Sequence, residues 1–223
     1  MVETSTEKRI VAVGPMKLEG ILRDPEGAAG LVIFAHGAGS SRLSPRNNYV
    51  ADRLGARGIA TLLFDLLTEG EARDRANVFD IPLLSGRMVE AVRWARDQPE
   101  MSGRTIGLFG ASTGAAAALV AAARAPEDVA AVVSRGGRPD LTGAALADVK
   151  APTLLVVGGA DYGVIELNEQ AASALRCERR LAIVPGATHL FEEPGTLDRV
   201  VDLAADWFDA HLCARVKQRN ERI

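Results

Sequence analysis

A serine hydroxyl attacks a carbonyl carbon only when a neighbouring base takes its proton, and that base works best when an acid fixes its tautomer. The chain offers a candidate for each role. Ser112 is the centre of Gly110-Ala111-Ser112-Thr113-Gly114, Asp161 ends Val156-Val157-Gly158-Gly159-Ala160-Asp161, and His189 ends Pro185-Gly186-Ala187-Thr188-His189. Only three histidines occur. His211 falls late in the last helical pattern as a surface or capping residue, and His36 precedes a glycine-rich turn, which leaves His189 as the candidate base. Together the three groups would perform acyl transfer: Ser112 as nucleophile, His189 as general base and then acid, Asp161 as its orienting partner. Glu166 is the nearest substitute for Asp161.

Negative charge developing on a carbonyl oxygen needs donors already in place. Thr113 N–H, at the start of the helix expected after Ser112, is the first expected oxyanion donor. The second is expected from His36-Gly37-Ala38-Gly39-Ser40, where Gly37 and Gly39 free the backbone to turn the Ala38 N–H inward. His36 itself is expected to hold this loop by an orienting hydrogen bond, with substrate contact as a further role. Ser134-Arg135-Gly136-Gly137-Arg138-Pro139-Asp140 carries two guanidinium groups. Arg138 would clamp a substrate carboxylate, unless it pairs internally with Asp140, Asp65 or Glu69.

These loops need a frame that brings them to one edge. Short runs rich in Val, Ile and Leu alternate with helical patterns, as in a mostly parallel sheet covered on both faces. Arg9 to Val13 and Lys17 to Leu22 flank Gly14-Pro15 and predict an antiparallel hairpin at the edge. Leu31 to Ala35, Ile59 to Phe64, Thr105 to Phe109, Val129 to Val133, Thr153 to Val157 and Arg180 to Val184 complete eight strands. Helices are predicted over about 45–57, 82–97, 113–125, 165–175 and 195–212. The helix from Thr113 is almost all alanine, which allows close approach to the sheet behind a strained strand-to-helix turn. Leu66 to Asp80 is long and charged and is expected to be a mobile wall of the pocket. Ser134 to Lys150 leaves no room for a cap domain.

The chain has 223 residues, 48% of them apolar, enough for one domain over 1–223 with a full core. A net charge of −3 gives no electrostatic footprint for nucleic acid or an anionic membrane, and no apolar run reaches bilayer length. With a polar start from Met1 to Arg9 and only Cys177 and Cys213, the chain reads as a cytoplasmic protein without a disulfide. The dispersed histidines and cysteines show no metal-ligand spacing, and the chemistry needs no cofactor. Oligomeric state is not legible.

In the order Ser112, Asp161, His189, and in His36-Gly37-Ala38-Gly39, Asp65 and the Gly110–Gly114 turn, the chain resembles the dienelactone hydrolase group of α/β-hydrolases over about 9–212. The resemblance implies an α/β-hydrolase fold, a site of Ser112, Asp161 and His189, and an oxyanion hole from the Ala38 and Thr113 amides. Dienelactone hydrolases carry cysteine where this chain has Ser112, so the expectation moves to small soluble carboxylic esters as substrates. The same acyl-enzyme intercepted by an alcohol, thiol or peroxide would make an acyltransferase, thioesterase or perhydrolase. A non-catalytic ligand receptor on the same scaffold is the reading from another class.

Overall fold

The computed structural model of the chain describes residues 7–213. Strands β1 (Lys8–Val13) and β2 (Leu18–Arg23) form the expected hairpin, in which Lys17 N–H donates to the Gly14 carbonyl at 3.1 Å. That turn puts Lys17 at φ 52°, so β2 begins one residue later than its sequence pattern indicates. The remaining strands are β3 (Gly30–Ala35), β4 (Ala60–Phe64), β5 (Thr105–Ala111), β6 (Val129–Arg135), β7 (Thr153–Gly158) and β8 (Arg179–Val184). They make one sheet in the order β1-β2-β4-β3-β5-β6-β7-β8. β2 runs antiparallel to β1 and to β4, and every other neighbouring pair is parallel. β3, β4, β6 and β7 are buried along their whole length, which is why they read as continuous rather than alternating apolar runs.

Seven α-helices stand among the described residues: α1 (Pro45–Ala56), α2 (Glu69–Ala72), α3 (Arg75–Val78), α4 (Ile81–Asp97), α5 (Thr113–Arg124), α6 (Tyr162–Ala174) and α7 (Thr196–Phe208). Two apolar clusters divide five of them. α1 and α7 pack on one face of the sheet, through Val50, Leu54, Val200 and Phe208. α4, α5 and α6 cover the other, through Leu84, Met88, Leu119 and Ala171. Helix starts follow their sequence signals: Ser44 caps α1 ahead of Pro45, and the Asp80 carboxylate accepts from Leu83 N–H at the start of α4.

One expectation changes. The segment after β4 is not a bare mobile loop, because α2 and α3 form within it. Thr68 and Glu71 make a reciprocal capping box, and Arg87 on α4 pairs with Glu71 at 2.9 Å, tying this wall to the helical layer. After β6 the chain forms only 3-10 turns over Pro139–Asp148, kinked at Gly143 (φ 58°), and no cap domain is inserted there among the described residues. Cys177 is a free thiol beside the Thr153 hydroxyl at 3.8 Å, while the side chain of Cys213 lies outside the described residues. No described helix is long and apolar enough to cross a membrane.

Candidate active site

The site is built at the carboxyl ends of the parallel strands, where the loops converge. β5 ends at Ala111, and the chain then turns sharply into α5 with Ser112 at φ 52° and ψ −121°. A non-glycine residue held there costs roughly 1–3 kcal/mol, which the surrounding contacts must supply. Both flanking glycines are required by space. A Cβ on Gly110 would stand 2.4 Å from Ala115 Cα, and one on Gly114 would stand 2.3 Å from the Ala35 carbonyl oxygen. The elbow is further held by Ser112 N–H donating to the Arg135 carbonyl and by Arg138 N–H donating to the Ser112 carbonyl, each at 3.1 Å.

The three residues singled out by type and spacing meet here. His189 Nε2 lies 3.3 Å from Ser112 Oγ, and His189 Nδ1 lies 2.6 Å from Asp161 Oδ2. A carboxylate only accepts, so Nδ1 carries the hydrogen and Nε2 presents its lone pair to the serine. Asp161 is the first residue before α6, but its side chain makes no helix cap and is committed to His189. Glu166 lies exposed one turn further on. The His189 loop is stitched to β7 by Ala160 N–H on the Ala187 carbonyl at 2.9 Å, an approach that only Gly158 allows, since a Cβ there would meet that oxygen at 2.4 Å.

The other assignments fare differently. Ala38 N–H, expected to be free for an oxyanion, donates to Thr113 Oγ1 at 2.9 Å. Thr113 N–H opens α5 and has no backbone partner among the described residues. Arg138 is not a free clamp: its Nε and Nη2 grip Asp140 at 2.8 and 2.7 Å, because the carboxylate two residues on is the nearest partner its fork can reach. His36 holds the loop instead of waiting for substrate. Leu66 N–H donates to its Nε2 at 3.1 Å and its Nδ1 donates to the Gly37 carbonyl at 3.0 Å, while burial holds the imidazole below its ordinary pKa. His211 is half-buried, its ring tilted at 59° against that of Trp207 with the centroids 4.5 Å apart.

Three further features are not read from the sequence. Gly136, at φ 52°, lies against the His189 ring, and a Cβ there would come within 3.5 Å of Nδ1 and Cε1. The signal is the Gly136-Gly137 pair following a strand. Second, a cavity of about 330 Å³ adjoins Gly37 and Ala38 and is floored by Leu66, Leu67, Ala72, Val78 and Leu84. Its helices are announced by Thr68-x-x-Glu71. Third, Arg135 is buried at 7% exposure behind Phe191, whose ring centroid lies 5.9 Å from the guanidinium carbon. Its Nε and Nη1 have no partner among the described residues, and burial, with Arg46 nearby, lowers its pKa to about 10. A lone buried cation is costly, so Arg135→Met is expected to raise the urea unfolding free energy by about 1–3 kcal/mol. A loss of stability in the same titration would mean that contacts in solution offset the cost of burying the guanidinium.

The architecture and the site geometry define the α/β-hydrolase fold. Residues 18–211 match the Dienelactone hydrolase family, and the chain belongs to that family, a family of hydrolases. The crystal structure of dienelactone hydrolase from Anabaena variabilis is 54% identical, with a TM-score of 0.90 over 93% of this chain and 99% of that one. An esterase of Pyrococcus furiosus is 17% identical (TM-score 0.73, covering 93% of this chain and 92% of that one) and shares the fold. Two Mycobacterium tuberculosis proteins with a provisional phosphoribosyl transferase name are each 58% identical over 203 residues, 91% of this chain and 46% of theirs. The chain thus spans about half the length of the curated relatives it matches.

Proposed function

We propose that the chain is a serine hydrolase of small carboxylic esters acting through an acyl-enzyme. The observation that carries this reading is the hydrogen-bonded line from Asp161 through His189 to Ser112, ending on a serine held at positive φ. In the first half-reaction Ser112 Oγ bonds to the ester carbonyl carbon while its proton passes to His189 Nε2. The C–O bond to the alcohol then breaks, and the alcohol leaves with that proton. Water repeats the sequence on the acyl-enzyme, releasing the acid and restoring Ser112. Asp161 keeps the imidazole in its tautomer and stabilises the imidazolium formed on the way. No step needs a metal or cofactor.

The apolar floor beside Gly37 and Ala38 supports an aliphatic group next to the reacting carbonyl, and Arg138, bound to Asp140, gives no support to a carboxylate clamp. A panel of p-nitrophenyl esters from acetate to octanoate tests this reading. Hydrolysis is expected, with Val78→Trp moving the preference toward acetate by about tenfold in the ratio of kcat/KM values. An absence of turnover with every ester would refute the ester reading, and an unchanged chain-length profile would place the acyl group elsewhere. Adding alcohols, thiols or peroxide to the same assay separates hydrolysis from acyl transfer to another acceptor. The phosphoribosyl transferase name belongs to proteins more than twice the length matched here, and the Ser112 site supports no such transfer.

A further inference from the structure

We infer that Thr113 supplies two donors to the oxyanion, its backbone N–H and its side-chain hydroxyl, with Ala38 N–H acting through that hydroxyl. This rests on the acyl-transfer reading above. The amide hydrogen of Ala38 can serve one strong acceptor, and it is directed at Thr113 Oγ1 at 2.9 Å. Thr113 is 5% exposed at the first position of α5, so its side chain has little freedom to turn away. Having accepted from Ala38, the hydroxyl still has a proton to give, and it has no acceptor for that proton among the described residues.

Local geometry keeps this pair together. A Cβ on Gly37 would lie 3.2 Å from Ser112 Cβ, and one on Gly114 would lie 2.4 Å from the His36 carbonyl oxygen, so the loop after β3 rests directly on the elbow. In a threonine whose Oγ is gauche to its backbone N, the hydroxyl and the N–H of the same residue are close enough to share one acceptor. As Ser112 Oγ bonds to the carbonyl carbon, the C=O π electrons move onto oxygen. That oxygen then takes a hydrogen bond from Thr113 N–H and one from Thr113 Oγ–H, the latter strengthened by the Ala38 donor behind it. The relay explains why a threonine stands next to the nucleophile, a position where the backbone alone would need no hydroxyl.

The test compares Thr113→Val, which keeps the shape and loses the hydroxyl, with Thr113→Ser, which keeps the hydroxyl. Thr113→Val is expected to lower kcat on p-nitrophenyl butyrate about 100-fold with KM moved less than about threefold, and Thr113→Ser to recover most of that loss. Affinity for butylboronic acid, which forms a tetrahedral adduct on an active serine, should fall in parallel in Thr113→Val. If Thr113→Val does not fold, Thr113→Ala is read in the same two assays with the same expectation. Unchanged or higher kcat in the hydroxyl-free variant would overturn the inference and make Ala38 N–H the direct donor, freed by the substitution. A wild type that hydrolyses esters and binds the boronic acid while Thr113→Val binds it equally well would overturn the inference alone. A wild type that does neither would overturn the acyl-transfer reading and this inference with it.

Discussion

Ser112→Ala is expected to lower kcat on p-nitrophenyl butyrate by about 10⁴-fold or more while leaving the urea midpoint almost unchanged. The size of the first effect follows from the geometry: among the described residues His189 Nε2 meets no other hydroxyl, and its 3.3 Å contact is with Ser112 Oγ. The small second effect follows from the backbone. Alanine at φ 52° bears the same strain as serine, and the bonds that hold the elbow, Ser112 N–H to Arg135 and Arg138 N–H to the Ser112 carbonyl, are made by the main chain. Steady-state kinetics and equilibrium unfolding on one preparation therefore separate chemistry from folding. Residual activity within tenfold of wild type would remove Ser112 from the mechanism.

The second large effect is structural. Gly114→Ala is expected to cost more than about 3 kcal/mol, or to prevent folding, because the new methyl carbon would lie 2.3 Å from the Ala35 carbonyl oxygen and 2.4 Å from that of His36. Both obstacles are backbone atoms at the end of β3, so no side chain can rotate aside. Relief would require the His36–Ser40 loop to lift from the elbow, dismantling the site together with the packing. Gly163→Ala on α6 is the matched control: nothing lies within 4 Å of its Cβ position, and the substitution should be neutral or stabilising by up to about 1 kcal/mol. A urea titration of both variants checks the contrast, and equal midpoints would mean that the close approach at Gly114 is absent in solution.

The strands are legible because most are buried on both faces, and a run such as Ile59 to Phe64 or Val129 to Val133 has no amphipathic ambiguity to resolve. Ser112, Asp161 and His189 are legible because each lies in a glycine-rich turn that follows a strand, so parallel topology brings them to one edge. What a side chain finds when it arrives is not legible. Arg138 and Arg135 occupy the same short segment, yet one is gripped by Asp140 and the other, at the end of β6, is buried behind Phe191. The donation from Ala38 to Thr113 joins residues 75 apart in sequence, and a main-chain donor carries no sequence signal of the acceptor it meets. The wall after β4 reads as a loop because of its charges, whereas Glu71 uses its charge to cap α2 and to bind Arg87.

Covalent labelling tests the central claim most directly. The intact protein is incubated with a fluorophosphonate at neutral pH, and the modified peptide is located by mass spectrometry in wild type, Ser112→Ala and His189→Ala. The expected result is one adduct per chain on Ser112 in the wild type, none in Ser112→Ala, and labelling slowed by at least about 100-fold in His189→Ala. Labelling of Ser112→Ala at the wild-type rate, or an adduct on any other residue, would contradict the assignment of Ser112 as nucleophile.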